Sequence, residues 1–190
     1  MTKDEILEAA AQIIREKGFH ATSMQDIARA VDLRKASLYH HVNSKQEILV
    51  DLLDRSLDMM IERIVEVMAQ DVPVDEKFRL AMRSYINYMA ENLDLSSVLL
   101  LEHRSLEVQY KSQHLPRRDK YEGLWRQIIE DGIAQGVFNP HDPKVAVKVV
   151  LGVANWTVMW LNPEGRLSAT EIADLSSEIL LKGFYNRENE

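Results

Sequence analysis

No cysteine occurs among the 190 residues, which removes disulfide frameworks, thiolate-ligated zinc and thiol nucleophiles from consideration. Glycine (7) and proline (5) are scarce. That leaves few turn formers for a strand-dense fold and favours helices built from the plentiful Leu, Ile, Ala, Glu, Lys and Met. No run approaches the ~18 consecutive apolar residues of a bilayer-spanning helix. The start, MTKDEILEAA, is charged and amphipathic rather than of signal-peptide type. A cytoplasmic protein with no membrane partner is expected. A basic surplus is missing too: 23 Lys and Arg stand against 30 Asp and Glu, a net charge of −7. With 46% hydrophobic residues the chain can bury a sizeable core.

Charge distribution says more than the total. Residues 1–50 hold seven Lys or Arg and seven Asp or Glu, so the excess acid lies in the rest of the chain. Within 29–45, Arg29, Arg34, Lys35 and Lys45 face only Asp32, with His40 and His41 beside them. A local basic stripe on an acidic body is an acceptable footprint for DNA.

Apolar spacing of Ile6, Ala10, Ile13 and Ile14 predicts a first helix stopped by Gly18. Ser23 with Asp26 three residues on opens a two-turn second helix, and a short third covers about Lys35 to His41. Ser44 to Glu47 reads as a full capping box for a long fourth helix, whose apolar positions run from Leu49 through Met60 and Ile64 to about residue 69. Further helices are expected at about 75–93, 96–113, 116–135, 142–161 and 168–185, with Pro116 marking one boundary. The expected fold is all-α with about nine helices. Residues 1–47 form a helix-turn-helix domain of three helices, and residues 48–190 a ligand-binding and dimerisation domain.

The informative stretch runs from Thr22 to Leu49. Two short helices joined by a tight turn, the second rich in small, basic and hydrogen-bonding side chains, describe a helix-turn-helix. A helix entering a major groove ~12 Å wide needs a slim polar face, and Lys35, Ala36, Ser37, His40 and His41 supply one. Tyr39 offers a hydroxyl for a phosphate oxygen, and Lys45 an amide and an ammonium for another.

Thr22-Ser23, Ile27-Ala28, Leu38-Tyr39, Val42, Lys45 and Ile48, preceded by Gly18-Phe19, closely resemble the signature of the TetR family of repressors. The resemblance implies base-edge contacts from Gln25, Arg34, Lys35, Ala36, Ser37 and His41. It implies backbone contacts from Thr22, Ser23, Tyr39, His40 and Lys45. Gln25, His40 and His41 are equally readable as solvated surface. Asp32 stands where the family usually has glycine, Arg34 replaces the usual Ser or Thr N-cap, and Val42 replaces a common Phe. The family pattern implies a homodimer through the last two helices, bound to a palindromic double-stranded operator.

Residues from Glu130 to Phe138, with Gly152, Asn155, Trp156, Trp160, Pro163 and Gly165, resemble more loosely a TetR subgroup with members that sense acyl-CoA thioesters. The resemblance implies a small apolar effector of that class. Met60, Ile64, Phe78, Met82, Tyr85, Met89, Trp125, Ile128, Trp156 and Met159 recur at helical spacings and supply large, adaptable apolar surface, with His103, Tyr121 and Asn155 as polar members. The same residues are readable as plain core, and Trp156 with Trp160 as dimer interface. Arg117, Arg118 and Lys120, read at a helix junction, could meet CoA phosphates. His103, His114 and His141 lack ligand spacing, so no metal is expected. No nucleophile elbow, phosphate loop or metal motif speaks for an enzyme or a cofactor.

Overall fold

The computed structural model describes residues 2–139, 142–162 and 164–184. His141, Pro163 and the expected end of the last helix at Tyr185 lie outside the described residues. The fold is all-helical: α1 (Lys3–Lys17), α2 (Met24–Ala30), α3 (Lys35–Leu38), α4 (Lys45–Met68), α5 (Val74–Glu91), α6 (Leu93–Glu102), α7 (Val108–Ala134), α8 (Pro143–Trp156) and α9 (Ala169–Phe184). Short 3₁₀ turns cover His103–Ser105 and Thr157–Met159. No described helix is long and apolar enough to cross a membrane.

Local chemistry accounts for the helix ends. The Thr2 hydroxyl accepts from the Glu5 amide and the Glu5 carboxylate accepts from the Thr2 amide, a reciprocal cap; Ser23 and Asp26 repeat it on α2. At α4 the cap is only half what the sequence suggests. Ser44 Oγ accepts from the Glu47 amide at 3.0 Å, but the Glu47 carboxylate turns to the Asn43 amide at 2.8 Å.

Pro116 was expected at a helix boundary, yet it sits inside α7. The break comes earlier, at residues 103–107. An interior proline leaves the carbonyl four residues back without an amide. Here the site faces solvent, where water can serve that carbonyl, and Arg117 Nη1 reaches the neighbouring Gln113 carbonyl at 3.5 Å. Arg117, Arg118 and Lys120 therefore lie within one helix and not at a junction.

The chain forms two compact units, Met1–Asp58 with Asn92–Arg118, and Met59–Glu91 with Asp119–Glu190. In the first, Ile6, Ala10, Ile14, Ile27, Leu38, Val42, Leu49 and Leu53 are sealed from solvent, with α1 packed on α2 and α6. In the second, α5 packs along α9, and Arg83 pairs with Asp174 between them. Phe78 anchors an aromatic cluster edge-on to Trp125, Phe138 and Phe184, with ring centroids 5.9, 6.3 and 6.0 Å away. Gly132 makes room for Phe138, since a Cβ there would fall 2.0 Å from the ring.

Candidate nucleic-acid interface and effector hollow

The turn between α2 and α3 is a Schellman motif. The Leu33 amide donates to the Ala28 carbonyl at 2.8 Å, and the Asp32 amide to Arg29 at 3.3 Å. That geometry demands a left-handed residue, and Asp32 provides it with φ 53°, the sole positive φ outside glycine among the described residues. The motif sets α3 against α2 with Gln25, Arg34, Lys35, Ala36, Tyr39, His40 and His41 exposed and Ser37 half-buried. Arg34 caps α3 without a side-chain hydrogen bond, leaving its guanidinium free of that duty. Ser23 is exposed but donates to the Asp26 carboxylate at 2.7 Å; the hydroxyl and amide of Ser23 hold that carboxyl below its ordinary range.

Two of the expected backbone-contacting side chains turn inward. Thr22 is buried, its hydroxyl donating to the Gly18 carbonyl at 2.9 Å. The Lys45 ammonium donates to the carbonyls of Phe19 and Thr22, each at 2.7 Å, and lies 4.3 Å from the centre of the Phe19 ring. Burial lowers its pKa while the Glu102 carboxylate raises it. Lysine at this position thus closes the loop between α1 and α2, a role the motif alone does not reveal.

In the second unit, Met60, Arg63, Ile64, Ala81, Ser84, Tyr85, Tyr88 and Tyr121 line a hollow too tightly packed to hold a ligand. Drug-sized ligand pockets occupy ~300–1,000 Å³, so the hollow is closed to such a ligand. The Tyr85 hydroxyl donates to Asn155 Oδ1 on α8. Burial pushes the phenols of Tyr85 and Tyr121 upward, so both stay neutral donors. Phe78, Met82, Met89, Trp125 and Ile128 are buried core of the same unit.

The structure does not gather every expected ligand residue. Trp156 and Met159 are exposed, and His103 belongs to the first unit, its Nδ1 3.1 Å from the Leu100 carbonyl. Burial, offset by that carbonyl and helped by Arg118, lowers the His103 pKa. Arg117 is tied to Asp54 at 2.9 Å and Asp58 at 3.0 Å, which withdraws it from the expected phosphate-binding trio. Arg63, Ala81, Ser84 and Tyr88 were not anticipated; Ala81 and Tyr88 lie four residues before and three after Tyr85, a spacing that could have found those two.

On α8 and beyond, Val145, Val149, Val153, Trp156 and Trp160 recur every three or four residues on exposed surface; Leu175 and Ile179 do so on α9. Trp156 is 65% and Ile179 73% exposed. Apolar stripes of this kind mark surfaces that meet another chain.

An exposed polar recognition helix held by a Schellman turn defines a helix-turn-helix DNA-binding protein. Residues 6–52 match the description "Bacterial regulatory proteins, tetR family", and residues 71–184 match "Tetracyclin repressor-like, C-terminal domain". The chain belongs to the tetR family, whose members are transcriptional regulators and not enzymes. It is 34% identical to the regulator PfmR of Thermus thermophilus (TM-score 0.86, covering 93% of this chain and 97% of that one). It is 30% identical to AibR, solved with isovaleryl coenzyme A and operator DNA (TM-score 0.87, covering 94% and 97%). Among sequences, the transcriptional repressor KstR2 of Mycolicibacterium smegmatis is 27% identical, over 95% of this chain and 89% of the relative.

Proposed function

We propose that the protein is a cytoplasmic repressor that binds a pseudo-palindromic operator as a homodimer and is released by an acyl-CoA thioester. Residues 1–47 read DNA, and residues 48–190 dimerise and sense the effector. Gln25, Arg34, Lys35, Ala36, Ser37 and His41 meet base edges, while Ser23, Tyr39 and His40 meet the backbone. Thr22 and Lys45 serve by shaping the loop that leads to them. The dimer forms through the apolar stripes of α8 and α9, and two-fold protein symmetry calls for two-fold operator symmetry.

The observation that carries the effector reading is the hollow where Met60, Ile64, Tyr85 and Tyr121 meet. AibR, similar over most of the chain, was solved with an acyl-CoA and its operator, which supports that effector class. The test is a titration of the protein with acyl-CoAs of graded chain length and the matching free acids. It is run on the duplex the protein selects from a random pool. Dissociation by thioesters alone is expected. Dissociation by free acids equally well makes the protein a sensor of the acyl chain, and no response to either removes the effector while leaving DNA binding intact.

A further inference from the structure

We propose that Glu102, at the end of α6, is a positioning residue for DNA binding, a role that rests on the DNA-binding reading above. The loop from Gly18 to Thr22 leads into α2, and at Gly18 the chain leaves α1 with φ 82°. The next amide, Phe19, donates to Glu102 Oε1 at 3.1 Å. The other carboxylate oxygen, Oε2, accepts from Ser105 Oγ at 2.9 Å, which fixes its orientation. Lys45 holds the Phe19 and Thr22 carbonyls of the same loop. The loop's donor side is thus gripped by a carboxylate and its acceptor side by an ammonium.

Further bonds join the same two segments. Ser105 Oγ lies 3.2 Å from His20 Nε2. Gln46 Nε2 donates to the Ser105 carbonyl at 2.9 Å, and the Glu107 amide donates to Gln46 Oε1 at 3.1 Å. Residues 102–107 lie within the part of the chain that matches the C-terminal family description, whereas Phe19, His20 and Gln46 lie within the part that matches the DNA reader. The strap therefore lets the segment between α6 and α7 set the loop that presents Ser23 and Gln25.

Charge makes the idea testable by sign. An acid in a DNA-binding unit repels phosphates, so deleting it should tighten binding if it does nothing else. Positioning demands the reverse: Glu102→Ala frees the Phe19 amide and weakens binding. Glu102→Gln keeps an acceptor for that amide while removing the charge, so it should bind as well as the parent or better.

The experiment selects a duplex from a random pool with the unaltered protein and then measures each variant's Kd by fluorescence anisotropy at fixed salt. Hydrogen exchange at the Phe19 amide is followed in parallel. Glu102→Ala is expected to weaken binding about tenfold, the equilibrium worth of one hydrogen bond to a charged group, and to speed Phe19 exchange at least as much. Glu102→Gln should rescue both. Should Glu102→Ala fail to fold, Ser105→Ala, which frees Oε2 and removes the His20 contact while leaving the Phe19–Glu102 bond, should give about threefold in the same direction. Binding by Glu102→Ala as tight as the parent's, unchanged Phe19 exchange, or an equal loss in Gln and Ala would overturn the proposal. Selection of no duplex by the parent would sink the DNA-binding reading itself, a result distinct from a parent that selects and an alanine variant that matches it.

Discussion

Replacing Lys45 with methionine separates two roles that the same residue would play in DNA binding. Methionine keeps the length and apolar stem but removes the ammonium, leaving the Phe19 and Thr22 carbonyls, each 2.7 Å from Nζ, without that donor. Hydrogen bonds to a charged group contribute about 1.5–3 kcal/mol each, and a cation over an aromatic face about 0.5–1 kcal/mol. Lys45 is only half-buried, so water can reach part of this site and the sum is discounted to about 2–3 kcal/mol. For a chain of this size that lowers the melting temperature by roughly 5–10 °C. The assay is thermal unfolding of Lys45→Met beside the salt dependence of its operator binding. A lysine that instead reached a phosphate would leave the melting temperature in place and reduce the slope of log K against log salt by about 1. That second pattern would refute the internal role.

Asp32→Gly should stabilise the protein by about 0.5–1 kcal/mol, because glycine adopts the left-handed C′ conformation without the Cβ penalty; urea unfolding that shows a loss would mean the aspartate makes a compensating contact. The Asp26 carboxyl is held below its ordinary value of 3.8 by Ser23, so the folded state binds fewer protons there than the unfolded chain. Its stabilisation is complete above that ordinary value and lost as pH falls through the depressed one. Asp26→Asn should therefore flatten the acid limb of α2 amide protection, and an unchanged limb would contradict the cap. Ile179→Asp should leave a single chain folded, since that side chain is 73% exposed, yet give monomers in sedimentation; a dimer of normal affinity would place the interface elsewhere.

What was legible in the sequence followed period and capping. The buried positions of α4 recur without interruption, Gly18 and the Ser23–Asp26 pair mark helix ends through backbone chemistry that is local, and the glycine-like position of Asp32 surfaces as a positive φ. Pro116 does not mark a boundary because the lost amide and the ring's clash with the carbonyl four residues back are tolerated on a face where that carbonyl can turn to water, and exposure is not readable from spacing. Lys45 is found by motif, but its internal partners are not: whether an ammonium faces solvent or a neighbouring loop depends on contacts 23 to 26 residues away. Glu102 left no signal at all, because its partner lies 83 residues off in sequence. Trp156 and Met159 share the composition of the core but face outward, since a helix with two apolar sides does not declare which one meets its own chain.

If the proposed effector enters the closed hollow, the packing there sets the terms of its action. A ligand that finds no room must favour a rarer open form, and its apparent affinity falls by the fraction of molecules already open. The hydrogen bond from Tyr85 to Asn155 ties the lining of the hollow to α8, so it stabilises the closed form. Tyr85→Phe removes the donor and leaves Asn155 Oδ1 short of a partner, at a cost to the closed state of about 1–3 kcal/mol. If the closed form is the one that holds DNA, the variant should release its operator at effector concentrations about 5- to 100-fold lower, with weaker operator binding in the absence of effector. The opposite outcome is equally informative. A variant that binds operator normally and needs more acyl-CoA for release would show that the Tyr85 hydroxyl touches the effector instead of latching the hollow. Trp125, sealed in the same core, supplies the fluorescence signal for opening, and anisotropy of labelled operator reports release. The two midpoints should move together in Tyr85→Phe, since opening and release are then one equilibrium.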